Sequence, residues 1–448
     1  MTRNWVGGTA TVPSTAERAA RFPVMDHCRT IAGALGVAVA VFLLSNPLTV
    51  VPDFRDAWLW SAAAVTLVTL IGLTRMRRPV VPWLVLSLVG WSALSYWWSI
   101  SPSITRTWLL FFVLVTVMAI LVEAAVPIHG VAAGIALGAA ALGAVSLWQA
   151  RQALPIFDVA WSDPTYLDGV GTHRNILSYC AVFGIAALLA VVPGRWTAWL
   201  AWAPVFVLLA VTTLLTKSAT GLVAVPVLVL TTVALAHSQV VLRSPTFRWR
   251  LLVAGAGVIA LILLVTGPLL RALGRDATLS GRIPLWEATI EVVRARPLTG
   301  WGVGAVWPHA WLPAPANPVA DSISGRIGFG AAHGHNSFID ALAEVGIIGV
   351  TLAVLCYGSL LRQAFGRLAA STEPGSADPG SADPGPELAA VRLVVLLALA
   401  LLVCGLTEPV LQTPLGWFLT VLIACAAARS ALRTTGPWHP LRTTKEFR

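Results

Sequence analysis

Charge is scarce in this sequence. Only 11% of its 448 residues are Asp, Glu, Lys or Arg, against about 25% in an ordinary soluble protein. A soluble chain of this size needs far more charge to cover its surface, so that class is excluded. The same composition excludes collagen, coiled coil and wholesale disorder. Cysteine is scarce too. Cys28, Cys180, Cys356, Cys404 and Cys425 lie at or within apolar segments with no CxxC spacing, which argues against a disulfide framework and against a zinc site.

Familiar sites are also missing. There is no GxxxxGK[ST], hence no sign of ATP-driven work, and there is no GxSxG or HExxH. The loop after the first apolar run lacks the carboxylate cluster that would hold a metal and a lipid phosphate. Asp53 and Asp56 are there, but Arg55 stands between them.

What the chain has is apolar sequence, at 57% of residues. A membrane span needs about 20 such residues. Twelve helices are expected, at roughly 31–51, 56–74, 80–98, 107–126, 129–149, 175–193, 197–215, 219–237, 250–270, 336–361, 389–406 and 413–432. The first is too long and too far into the chain for a cleaved leader and is expected to remain as an anchor. The 20 Trp suit a protein with many helix ends in the membrane interface. The expected fold class is therefore all-α, a polytopic membrane protein.

Positive charge sets the expected orientation. With the N-terminus in the cytoplasm, 19 of the 30 Lys and Arg fall inside and 11 outside. Six of those 11 lie in the long 271–335 loop, where the charge rule is weak; without it the ratio is 19 to 5. Both termini (1–30 and 433–448) are thus expected in the cytoplasm, with the chain in the cytoplasmic (inner) membrane. The net charge of +10 is mostly this asymmetry and does not imply nucleic acid.

Two segments interrupt the rhythm of spans 1–9 (31–270) and 10–12 (336–432). Residues 371–387 carry GSADP twice in tandem and read as a flexible cytoplasmic linker. Residues 271–335 form one large extracytoplasmic loop with a helical pattern of its own. In it Ile283, Trp286, Ile290 and Val293 share one face, while Glu287, Glu291 and Arg294 share another. Ser280 is the expected cap and Gly300 the expected stop. A long ordered loop on one side of a membrane protein is usually functional.

Ionisable groups at the outer membrane edge are few, and each has two readings. Lys217, in LLTKSATGL, is either a snorkelling lysine at a helix end or a fixed charge facing an anion. Arg174, in GTHRNILSY, sits beside a helix N-terminus that itself favours anions, while neighbouring His173 reads as a polar cap. Arg282 opens the loop helix against its macrodipole. It is either a solvated surface arginine or one compensated by an anionic ligand. His335, where the loop enters helix ten, is either a cap or a general base. With His333 it forms H-x-H, but a metal there needs a third ligand, and only Asp321, His309 and Asp340 stand near in sequence. A metal is not expected. Asp340 and Glu344 share a helix face with Asn336 and either orient the histidine or line a wet crevice. Glu408, in GLTEPV, reads as a loop residue.

The run SGRIPLWEATIEVVRARPLTGWGVGA, an irregular loop, and HNSFIDALAEVGIIGV together resemble the O-antigen ligase and polymerase superfamily. The matching elements are Ser280, Arg282 and Trp286, then Pro297–Gly302, then His335–Gly349. GTHRNILSY and TKSATGL, with Ser218, resemble two further segments upstream. The resemblance covers roughly 165–360. It implies a glycosyltransferase that needs neither metal nor nucleotide and has no cofactor. The donor it implies is a polyprenyl-pyrophosphate-linked glycan, and the acceptor is a hydroxyl of a glycan, lipid or protein. Arg282 matches the family's loop arginine and His335 its histidine base. Lys217 falls at or next to a position where many ligases carry arginine. A lysine there is a point charge without the bidentate grip of a guanidinium, which fits the exopolysaccharide-polymerase branch better than a strict ligase. Arg174 is placed to share the pyrophosphate.

The chemistry needs these residue types. Departing pyrophosphate carries its charge away, and fixed cations stabilise that transition state. A hydroxyl is a poor nucleophile until a base takes its proton. The competing reading is a transporter or flippase of a lipid-linked glycan. That class usually shows internal repeats and midplane polar residues in broken helices, and no such repeat is visible here. A structural scaffold would leave the external loop unexplained.

Overall fold

The computed structural model describes residues 23–46, 54–73, 76–153, 166–170, 173–192, 196–237, 282–307, 317–370 and 385–432. The expected span 250–270, Ser280, His309 and nearly all of the linker 371–387 lie outside them. Among the described residues the fold is helical throughout, with no strand. The helices are α1 (Pro23–Leu44), α2 (Phe54–Gly72), α3 (Trp83–Leu94), α4 (Pro102–Ala125), α5 (Ile128–Ala153), α6 (Arg174–Ala190) and α7 (Trp196–Leu215). They continue with α8 (Ala219–Ala236), α9 (Arg282–Val293), α10 (Pro318–Ile327), α11 (Ser337–Ala370), α12 (Pro386–Gly405) and α13 (Pro414–Leu432).

Seven of these are long and apolar enough to cross a membrane, and three shorter apolar helices, Asp56–Gly72, Arg174–Ala190 and Pro414–Ser430, stand among them. The protein is a polytopic membrane protein. Most expected spans meet an observed helix within a few residues. The first differs most: it runs 23–44, not 31–51. It stops because Asn46 takes a left-handed φ of 56° and the Ser45 hydroxyl bonds back to the Val41 carbonyl.

The bundle is organised around α6, in which every residue from Leu177 to Ala190 is buried. A helix that is apolar on all sides belongs in the interior of a bundle. It packs against α5, α7, α8 and α12, while α13 lies against α4, α11 and α12. At the end of the bundle away from α9 and α10, Glu123 of α4 takes a bidentate pair from Arg429 of α13, both contacts at 2.6 Å. Arg77 donates to the carbonyls of Glu123, Ala124 and Val126 and so caps the C-terminus of α4.

The loop helix α9 is rotated from the expected face. Leu285, Ala288, Thr289 and Val293 are buried, whereas Ile283 and Ile290 are 45% and 42% exposed. The buried stripe packs on α10 and α11, meeting Val306, Trp307, Ile323 and Ala343. Arg282 stands three residues before Leu285, so it heads that stripe and points inward rather than into solvent. The helix ends at Val293, before Gly300, and a run of turns follows.

Helix α11 is broken at Gly346, which has φ 67° and ψ −173°. The segment Pro297–Gly302 fills the break. Trp301 and Gly302 donate to the carbonyls of Ala343 and Glu344, and Ile347 and Ile348 donate to those of Pro297 and Leu298. Glycine is required on both sides. A Cβ on Gly346 would lie 2.2 Å from the Leu298 oxygen, and one on Gly300 would lie 2.5 Å from the Glu344 carbonyl. The same segment is held from the α3–α4 corner, where the Trp98 indole donates to Thr299 O and Arg296 donates to Trp98 O.

Candidate active site

Helix α11 begins at an Asn cap. Asn336 Oδ1 accepts from the amides of Phe338 and Ile339, and its Nδ2 donates to Leu406 O. Ser337 Oγ donates to Glu408 O and accepts from Leu411 N, while Gln412 Nε2 donates to Ser337 O. The start of α11 is thus clamped to the 406–412 connection between α12 and α13. His335, immediately before the cap, takes a left-handed φ of 52°. That is an uncommon conformation for a residue with a Cβ, and such strain concentrates at functional sites.

The clamp brings the centre together. Glu408, 2% exposed, is its hub. Its Oε1 accepts from Arg282 Nη2 at 2.7 Å and from Asn175 Nδ2 at 2.6 Å, and its Oε2 lies 3.3 Å from His335 Nδ1. Burial pushes the Glu408 carboxyl up, but the His335 hydrogen bond and the charges of His335 and Arg282 outweigh it, leaving it below the ordinary carboxylate range. An ionised Glu408 fixes the tautomer that puts the His335 proton on Nδ1, leaving Nε2 as the basic nitrogen.

Glu408 is therefore not a mere loop residue. The conflict of Arg282 with the α9 dipole is compensated by this protein carboxylate, which engages one of the five guanidinium donors. The signal for Glu408 in the sequence was an acidic residue at the membrane edge of a chain nearly free of charge.

Two more histidines border the centre. His173 caps α6, as expected, by accepting from Asn175 N, and its ring lies 6.5 Å from that of His335. Burial lowers its pKa, with Glu408 acting against the shift. The His333 ring is 4.1 Å from that of His335, and its Nδ1 accepts from the His335 amide. Burial, aided by the charge of His335, pulls its pKa down to about 3, so it stays neutral.

The other predicted residues are placed less directly. The Arg174 guanidinium lies 4.0 Å over the Tyr166 ring, at the start of the helix that carries His173 and Asn175. Lys217 sits in the α7–α8 turn at φ 48°, and among the described residues its ammonium has no hydrogen bond or ion pair. Ser218 is buried at the N-cap of α8. One turn on, Thr220 bonds Thr407 at 2.5 Å, which ties the Lys217 turn to the Glu408 connection. Among the described residues neither Asp340 nor Glu344 hydrogen-bonds His335; Asp340 Oδ1 accepts instead from the Gly334 amide. Both are buried, and both line a crevice beside His333.

Ligand atoms of His333, His335 and Glu408 lie within 4.8 Å of one another. The third partner for the H-x-H pair is thus Glu408, not Asp321 or Asp340. A metal ion there would compete with a guanidinium already 2.7 Å from the same carboxylate.

Residues 204–354 match the O-antigen ligase family. Over 295 residues the chain is 30% identical to the exopolysaccharide production protein ExoQ of Rhizobium meliloti (strain 1021), a match that spans 62% of this chain and 63% of that relative. Residues 204–354 are thus similar to the O-antigen ligase family, and the chain spans under two thirds of the length of the exopolysaccharide production protein it matches.

Proposed function

We propose that the protein is a metal-independent glycosyltransferase. It moves a glycan from a polyprenyl-pyrophosphate donor to an acceptor hydroxyl at the outer face of the cytoplasmic membrane, as a ligase or a polysaccharide polymerase. The observation that carries this reading is the Arg282–Glu408–His335 relay, with contacts of 2.7 and 3.3 Å. The free donors of Arg282 bind the pyrophosphate, and Arg174 and Lys217 flank it from α6 and the α7–α8 turn. Glu408 holds His335 so that Nε2 takes the proton from the acceptor hydroxyl. The acceptor oxygen then bonds to the anomeric carbon, the bond from that carbon to the phosphate oxygen breaks, and pyrophosphate leaves with the electron pair. Cations stabilise the charge on the leaving group, while the carboxylate stabilises the imidazolium that forms.

The test is transfer of lipid-linked glycan in membranes carrying single variants. His335→Ala abolishes transfer while insertion and expression persist. Glu408→Gln lowers it by about 10²-fold or more, the usual scale for an oriented acid–base group. Arg282→Ala and Lys217→Ala weaken use of the donor, and Lys217→Arg is partly tolerated. Full activity of His335→Ala would remove the base from the scheme. A flippase would instead move labelled donor across vesicles with its covalent state unchanged. The break in α11 does not favour that alternative, because loop backbone fills it.

A further inference from the structure

The histidine end of the relay carries a second chemistry. His333, His335 and Glu408 each offer a ligand atom, and these atoms all lie within 4.8 Å of one another. Local structure gathers them. The left-handed φ of 52° at His335 folds the H-x-H turn so that its two rings stand 4.1 Å apart, edge to face. The bonds of Ser337 to Glu408 O and Leu411 N set the carboxylate beside them. The Glu408 side chain is buried, but that of His335 stays 30% exposed, so an ion can reach the site.

One spacing is already that of a metal site. Zn²⁺ holds imidazole nitrogen and carboxylate oxygen at about 2.0–2.2 Å, so two ligands on a tetrahedral ion stand about 3.3–3.4 Å apart. His335 Nδ1 and Glu408 Oε2 are 3.3 Å apart. Arg282 and Asn175 both bond Oε1, which leaves Oε2 to His335 and to an ion. His333 reaches the ion by turning its ring, and it gives up the long 3.3 Å contact from the His335 amide to do so. Two imidazoles with a single carboxylate suit Zn²⁺. Mg²⁺ and Ca²⁺ want more oxygen ligands. The nearby Arg282 guanidinium repels the ion and moderates its affinity.

We infer that His333, His335 and Glu408 form a Zn²⁺ site whose filling switches the centre off. The ion takes the place of the proton between His335 Nδ1 and Glu408 Oε2. A neutral imidazole keeps one proton, which then sits on Nε2. Nε2 is the nitrogen that receives the acceptor's proton, and once protonated it has no lone pair for that proton. Zinc is thus an inhibitor here and not a cofactor. The site stands on the geometry; its effect on transfer rests on the function proposed above.

The experiment uses the full chain in nanodiscs, free of any histidine tag, with Co²⁺ as a coloured stand-in for Zn²⁺. Wild type binds Co²⁺ with the visible absorption of a four-coordinate ion, and Zn²⁺ displaces it. His333→Gln weakens this binding about tenfold or more, and Glu408→Gln does the same from a second ligand. Zn²⁺ raises the unfolding temperature of wild type but not of His333→Gln. In membranes, buffered Zn²⁺ stops transfer of lipid-linked glycan by wild type, and a chelator restores it. His333→Gln transfers as wild type does without zinc, and needs about tenfold more Zn²⁺ for the same inhibition. Absence of Co²⁺ binding in wild type, or binding unchanged in both variants, overturns the site. Binding through His333 with full transfer at saturating Zn²⁺ overturns His335 as the base instead, and leaves the metal site standing.

Discussion

At the scale of single residues, the centre depends on a carboxylate that holds a guanidinium and an imidazole apart yet adjacent. His333 adds a pH signature. Its folded pKa is pulled to about 3 by burial and the charge of His335, against about 6.5 for an unperturbed imidazole. Between those values the unfolded chain binds a proton that the folded chain does not. Stability therefore rises with pH through this window and is fully present above about 6.5. Glu408, lowered from its ordinary range, acts in the same direction near the acid end. The unfolding temperature of the detergent-solubilised protein falls as pH drops from about 6.5 toward 3, and His333→Gln flattens that slope.

Arg282 and His335 were legible in the sequence because each lies within a dense motif. Glu408 was not. It is 126 residues from Arg282 and 73 from His335, and only the folded clamp between α11 and the α12–α13 connection reveals the pairing.

At the scale of elements, the helices follow from apolar length. Their boundaries shift where a local stop intervenes, as Asn46 does after α1. The face of α9 was misjudged because periodicity alone cannot choose between two adjacent apolar stripes. The choice is made by packing on α10 and α11 and by the reach of Arg282 to Glu408. The break in α11 had a readable trace, glycine at 300, 302 and 346, but its meaning needs two distant segments side by side. Gly346→Ala puts a Cβ at positive φ and 2.2 Å from the Leu298 oxygen. It destabilises the fold by more than about 1 kcal/mol and releases the Pro297–Gly302 segment. Hydrogen exchange reads this as faster exchange at the amides of Trp301 and Gly302.

At the scale of the whole molecule, the two ends of the bundle are held by different means. One end carries the relay. The other is pinned by Glu123, whose carboxylate receives Arg429 twice at 2.6 Å. Removing Arg429 leaves the buried Glu123 with only Arg77, at 3.8 Å, as a cationic partner among the described residues, and breaking such a pair costs up to about 3–5 kcal/mol. Arg429→Ala accordingly lowers the unfolding temperature. Because the pair lies at the opposite end from the relay, binding of pyrophosphate by the surviving folded fraction is unchanged.

The interrupted α11 has a mechanical meaning. Pro297–Gly302 is stitched into the gap by four backbone hydrogen bonds, so the peptide that follows α9 and the helix that follows His335 share one rigid joint. The arginine at one tip and the histidine at the other are carried like two jaws of a vice on a common frame. Under the proposed function, an incoming substrate meets them already spaced.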